Sequence, residues 1–122
     1  MQQIKELKID EELRDLFPPL SREDCEKLEN SLVNRGFDER IPIFTWNGYI
    51  ADGHNRYEIC KKHNISFTEG ALGFKTKEEV MEWMIDIQLG RRNLSPVQRM
   101  AIVNKYRNTI EKIKEENRKK LS

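Results

Sequence analysis

The pair Asn47-Gly48 constrains the middle of this chain. It lies between residues 41–46 and 49–51, two runs of β-branched and aromatic side chains, and an Asn-Gly pair in that setting favours the tight type I′ turn. The spacing therefore predicts a β-hairpin. Its second arm enters Asp52-Gly53-His54-Asn55-Arg56-Tyr57-Glu58, where a strand pattern gives way to a helical one across a glycine. Glycine at such a junction lets backbone approach a ligand closely, and the first helical turn offers unpaired N–H groups and the positive end of the helix dipole to an anion. His54, Asn55 and Arg56 add an imidazole, an amide and a guanidinium to that turn. The junction reads either as a phosphate seat or as a plain turn in which the glycine serves geometry alone.

The other elements follow from periodicity and caps. Residues 4–9 alternate weakly and predict a charged edge strand, and residues 10–17 predict a short helical turn stopped by Pro18 and Pro19. Ser21 is expected to cap a helix with Cys25, Leu28, Leu32 and Val33 on one face, ended by Gly36. The helix after Gly53 should reach about His63, with Tyr57, Ile59 and Cys60 inward and Asn64 as its stop. Residues 65–74 predict a further strand broken by Gly70 and Gly73. Two capping boxes, Thr76-Lys77-Glu78-Glu79 and Ser95-Pro96-Val97-Gln98, then open two helices. The first carries Val80, Trp83, Met84 and Ile87 on its apolar stripe and is expected to end at Gly90. The second carries Val103, Tyr106, Ile110 and Ile113, a stripe that suits a docking face or the seam of a homodimer equally well.

A chain of 122 residues has room for one core. Its net charge of +1 conceals an asymmetry: residues 1–90 hold 12 Lys/Arg against 18 Asp/Glu, whereas residues 91–122 hold 10 against 3. A basic tail on an acidic body points to an acidic partner, nucleic acid first, with Arg99, Lys105, Arg107 and Lys112 as candidate DNA-phosphate contacts. A lysine-rich face that only keeps the protein soluble is the alternative. Cys25 and Cys60 form no C-x-x-C pair, and cysteine and histidine together are too few for a structural zinc site, so both read as packed, reduced thiols. No signal peptide opens the chain and no apolar run approaches membrane-spanning length, so a cytoplasmic location without membrane contact is expected.

Three features taken together resemble the N-terminal domain of the ParB family and the wider ParB/sulfiredoxin superfamily. They are the helix around Leu28-Glu29-Asn30-Ser31-Leu32-Val33-Asn34-Arg35-Gly36, the hairpin running into Asp52-Gly53-His54-Asn55-Arg56-Tyr57, and Ile87-Gln88 followed by Arg91-Arg92-Asn93-Leu94-Ser95-Pro96. The resemblance covers roughly residues 20–106 and rests on order and spacing. It implies an α+β fold with a small mixed sheet, packed helices and a long C-terminal helix. Residues 1–94 would form a nucleotide-binding core, and residues 95–122 a basic helix. The chain would be a fragment leading into a DNA-reading domain, or else a short relative that does not read DNA sequence by itself.

The resemblance also implies a ligand. The family's phosphate motif usually reads glycine, glutamate, arginine, arginine; Gly53 and Arg56 match it, while His54 and Asn55 replace the glutamate and the first arginine. Nucleotide phosphates, of CTP or of ATP or ADP, would then be held by Gly53, His54, Asn55 and Arg56, with Arg91 and Arg92 assisting. Where the family holds magnesium, this chain has Ile85 and Asp86, so Asp86 is the candidate for Mg2+. Arg56 has an alternative use in a salt bridge with Asp52 or Glu58, and Asp52 in capping the helix. Sulfiredoxin's cysteine position is occupied here by His54, which removes that chemistry, and no cluster of carboxylates supports a nuclease. Two functions stay open: a nucleotide-binding regulatory domain acting with DNA, and a small-molecule phosphotransferase resembling the ParB-like free-serine kinase. In the second, His54 or Asp52 would be the candidate catalytic base, and NTP hydrolysis is open in both.

Overall fold

Asn47 and Gly48 both take positive φ, 51° and 84°, as a type I′ turn requires. The structure, a computed structural model, describes residues 4–91 and 95–121. The turn joins β1 (Ile43–Trp46) to β2 (Tyr49–Asp52) as an antiparallel pair whose register shifts between Phe44 and Thr45. On the other side of β1 lies β3 (Glu69–Ala71), parallel to it, so the sheet order is β2-β1-β3. The helices α1 (Glu11–Arg14) and α2 (Arg22–Arg35) precede the sheet, and α3 (His54–His63) carries the chain from β2 across to β3. These elements lie in one compact unit, Met1–Gly73; a second, Phe74–Ser122, holds α4 (Lys77–Arg91) and α5 (Pro96–Leu121). The architecture is α+β, with a small mixed sheet and a long C-terminal helix.

Local chemistry accounts for the element ends. The Ser21 hydroxyl accepts the Asp24 N–H at 3.1 Å to start α2, and Gly36 stops it at φ 80°. Asn64 stops α3 in the left-handed region at φ 55°. In the second unit, Ser95 Oγ accepts from Gln98 N–H while Gln98 Oε1 accepts from Ser95 N–H, at 3.2 and 2.9 Å, so the capping box opening α5 is reciprocal. Inside the first unit, Leu7, Ile43, Ile50 and Tyr57 form one buried cluster, and Leu32, Ile59 and Cys60 another. Phe37 and Phe67 pack against both and join them. The Tyr57 hydroxyl accepts the Leu7 N–H at 3.1 Å, which anchors the N-terminal segment to α3.

Four expectations are corrected. Residues 4–9 form no strand; Lys8 alone bridges to Tyr49, through bonds of 2.9 Å to Gly48 and Ile50, because Asp10 already caps α1 and leaves no length for a ladder. Val33 is exposed, since α2 packs on α3 and Val33 lies one residue, about 100°, beyond the buried Leu32. Gly90 does not end α4, which runs through it to Arg91; glycine lowers helix propensity without forcing a stop. Gly70 sits inside β3 and does not interrupt it. A Cβ there would lie 2.9 Å from Phe44 Cδ1 and 3.2 Å from Pro42 Cγ, so this glycine exists to admit the Phe44 ring.

Gly70→Ala should therefore destabilise the first unit by about 1–3 kcal/mol through overpacking. Combining it with Phe44→Leu should cost less than the two changes added separately. Urea denaturation of the four proteins measures both quantities, and strict additivity would show that the ring is not the obstacle.

Candidate functional site

The junction expected from the sequence is present. β2 ends at Asp52, Gly53 takes φ 110° and ψ 24°, and α3 begins at His54. Gly53 is the N-cap of α3 and supplies no side-chain acceptor to the first-turn N–H groups. The left-handed backbone alone calls for glycine, and packing adds a second reason. A Cβ on Gly53 would meet Arg56 Nη2 at 3.1 Å and the Ile43 side chain at 3.2 and 3.3 Å. Asp52 does not cap the helix as expected; its carboxylate is buried and lies 3.9 Å from Arg56 Nη2.

Arg56 is built into the fold more deeply than a first-turn arginine need be. Its Nη1 donates to the Ile41 carbonyl and its Nη2 to the Pro42 carbonyl at 3.1 Å, which ties the start of α3 to the segment entering β1. Its guanidinium also stands 5.5 Å from the Phe37 ring centre. The Arg56 and Asp52 side chains are 16% and 11% exposed. The salt-bridge use is thus observed with Asp52, and any phosphate contact would have to be made by a guanidinium already holding backbone. Asn55 is exposed.

His54 has an unusual environment. Its Nε2 is buried and has no hydrogen-bond partner among the described residues. Burial is the main cause holding its pKa below the usual imidazole value; Asp52 opposes this, Arg14 adds to it, and Asp15 and Asp10 oppose it more weakly. The imidazole is therefore neutral near pH 7, with a lone pair or an N–H unclaimed. Arg14, on α1, is a charge at this site that sequence reading missed; nothing in the linear spacing of residues 14 and 54 signals it.

The remaining candidates belong to the second unit. Arg91 closes α4, and Arg92 lies outside the described residues. Asp86 is exposed beside the buried Ile85, and no group of three or more His, Cys, Asp or Glu among the described residues is arranged to hold a metal. On α4 the expected Val80 and Met84 are buried, but so are Met81 and Ile85, whereas Trp83 is half-buried against Phe74. Tyr106 and Ile110 on α5 are buried and α5 packs along α4, so that stripe serves inside the chain. Val97 and Met100, 79% and 65% exposed, are large apolar side chains that α5 turns to solvent.

All four DNA candidates are exposed, but they do not share a face. Lys105 and Lys112, seven residues apart, align along α5 about 10 Å apart, while Arg107 stands about 160° and Arg99 about 120° around the helix from Lys105. One straight backbone could meet Lys105 and Lys112 together. No described helix is long and apolar enough to cross a membrane.

No family model matches the sequence. An uncharacterized protein of Acidianus two-tailed virus, ORF326b, is 33% identical over 107 residues, which cover 87% of this chain and 32% of that protein. Two solved structures of a pNOB8-like ParB N-domain are similar to it at 23% identity, with TM-scores of 0.63 and 0.64. They cover 93% and 98% of this chain and 45% and 43% of their own. The chain has the fold of a ParB N-domain. It spans about a third of the viral relative and less than half of the ParB chains.

The His54 environment predicts a specific pH dependence. The folded pKa lies below the ordinary value of 6.5, so the unfolded chain binds the proton more readily. The stability due to this group is present above about pH 6.5 and is lost as pH falls from there to the folded pKa. NMR titration of the ring should find a midpoint below 6.5, and His54→Gln should remove this part of the stability slope. A midpoint at or above 6.5 would contradict the dry environment described.

Proposed function

We propose that the chain is a regulatory domain of the ParB type that binds a nucleotide through its phosphates at the start of α3 and works in association with DNA, in partition or in regulation on a plasmid or viral genome. The observation that carries this reading is Gly53: a left-handed glycine caps α3 without a side-chain acceptor, at the strand-to-helix junction of a ParB N-domain fold. The first-turn N–H groups would bind phosphate oxygens, and Arg56 would supply charge. The same guanidinium holds the Ile41 and Pro42 carbonyls, so a phosphate that draws it away loosens the entry to β1. Ligand binding is thereby converted into a change in the hairpin's support. CTP, ATP and ADP are the candidate ligands, with magnesium as a companion of the phosphates.

DNA would be engaged through the aligned Lys105 and Lys112 or through further domains of a longer protein. A homodimer through α5 would use Val97 and Met100, since Tyr106 and Ile110 are buried within the chain. A second reading, phosphotransfer to a small hydroxylated metabolite, is favoured by one observation: the neutral His54 imidazole has an unclaimed Nε2 suited to a general base.

Calorimetric titration with CTP, ATP and ADP, each with and without magnesium, tests the first reading. Arg56→Lys keeps the charge and loses the fork, so affinity should fall about tenfold. Because Arg56 and Asp52 form a buried pair, Arg56→Ala should also destabilise the fold, by about 3 kcal/mol, and melting curves must accompany it. His54→Ala separates the two readings: modestly weaker binding fits a switch, whereas turnover reduced about a hundredfold with binding retained fits a phosphotransferase. Nucleotide affinity unchanged in Arg56→Lys would remove Arg56 from the site.

DNA binding, measured by fluorescence anisotropy, should weaken steeply with salt and show no base preference. Lys105→Gln with Lys112→Gln should reduce the log-log salt slope by roughly 2. A slope that does not respond would exclude this face of α5.

A further inference from the structure

The side of α5 that faces away from α4 has its own pattern. Tyr106 and Ile110 are buried, and α5 packs along α4. At 100° per residue, Val97, Met100, Ala101, Asn104 and Asn108 fall on the opposite side within an arc of about 100°. All five are exposed and none is charged. Cations border this arc on both sides. Lys105 and Lys112 stand about 40° and 20° beyond Ala101, and Arg107 stands about 20° beyond Met100. The Lys105 ammonium also lies 5.6 Å from the Tyr106 ring centre, while its side chain stays exposed. Glu111 and Glu115 fall inside the same arc and end it, so the uncharged face runs from Val97 to Asn108, about 17 Å of helix.

We infer that α5 enters the major groove of duplex DNA with the face from Val97 to Asn108, Lys105 and Lys112 reaching the phosphates of one strand and Arg107 those of the other. The inference rests on the DNA reading of α5 and sets how the duplex is held. Size and charge both favour it. A helix about 10–12 Å across matches a major groove about 12 Å wide, and phosphates border that groove on both sides. Cations are therefore needed on both flanks of the helix, whereas a helix lying along a single backbone needs them on one and leaves Arg107 without a part. A second copy of the chain would suit Val97 and Met100, but both borders carry the same sign over this length, so it would meet repulsion where phosphate meets attraction. Asn104 and Asn108 bring two amides to the floor of the groove. Every base pair offers both donors and acceptors there, so the amides are satisfied at any sequence and no base preference is required. Glu111 and Glu115 repel phosphate and confine the contact to the first half of the helix.

Fluorescence anisotropy of the full chain with a labelled DNA duplex, and with one of its strands alone, tests this. Arg107→Gln should lower the log-log salt slope on the duplex by about 1, as each lysine does. Asn104→Trp changes no charge but fills the face, so it should weaken duplex binding about tenfold or more and leave single-strand binding within about twofold. Ala101→Phe should act in the same sense. Both positions are exposed, and melting curves check that each variant folds. Arg22→Gln, on the exposed side of α2, should leave duplex binding unchanged. If the slope answers to Lys105 and Lys112 but not to Arg107, or if Asn104→Trp and Ala101→Phe bind duplex as the parent does, the helix lies along one backbone; the inference then fails and the DNA reading stands. If light scattering finds a DNA-free dimer that Val97→Glu dissociates, the face belongs to a second copy and the inference is overturned. If the parent chain binds neither duplex nor single strand, the DNA reading of α5 fails and takes this inference with it.

Discussion

The Arg56 guanidinium connects three parts of the first unit that sequence alone leaves separate. Its two bonds to the Ile41 and Pro42 carbonyls fix the approach to β1, its pairing with Asp52 fixes the end of β2, and its own backbone lies in the first turn of α3. Pro42 has no N–H of its own to place in a ladder, so its carbonyl is well used as an acceptor for a side chain arriving from outside the sheet. With the guanidinium lying across Gly53, a Cβ at that position would be crowded, and the glycine becomes necessary for packing as well as for backbone conformation. The hairpin, the glycine turn and the first helical turn therefore act as one piece. This is why a change at the N-terminal end of α3 has a mechanical route to the strand entry.

Much of that piece was legible because its signals are local. Asn47-Gly48 demands a type I′ turn, Ser21 and Ser95 bond back to their own helices, and Asn64 tolerates the left-handed conformation that ends α3. Tyr57, Ile59 and Cys60 are inward as their spacing indicates. Two of the failures concern contacts between residues distant in sequence. Gly70 looks like a strand breaker until the Phe44 ring is placed over it, and Val33 looks like core until α2 is seen to meet α3 through its neighbour. Met81 and Ile85 extend the buried arc of α4 beyond the stripe that periodicity marks.

The site divides along the same line. Its backbone part, the glycine and the first turn, follows from the strand-to-helix change in residues 49–58. Its electrostatic part does not. The depressed basicity of His54 comes from burial and from Arg14, forty residues earlier, and the burial of Asp52 comes with the path of Arg56 back to the β1 entry. The Asp52–Arg56 pair follows from its four-residue spacing, but charged side chains forty residues apart carry no spacing rule, so the effect of Arg14 on His54 was not recoverable without the fold.

The position of α1 adds a thermodynamic consequence. A helix of four residues is far below the length that sustains itself in water, so α1 exists because Leu13 and Leu16 are buried and Asp10 caps its first turn. Whatever orders α1 also fixes the place of Arg14, whose charge opposes protonation of His54. The short helix and the start of α3 are in this way coupled through charge: α1 sets the place of Arg14, and that charge is felt at the first residue of α3.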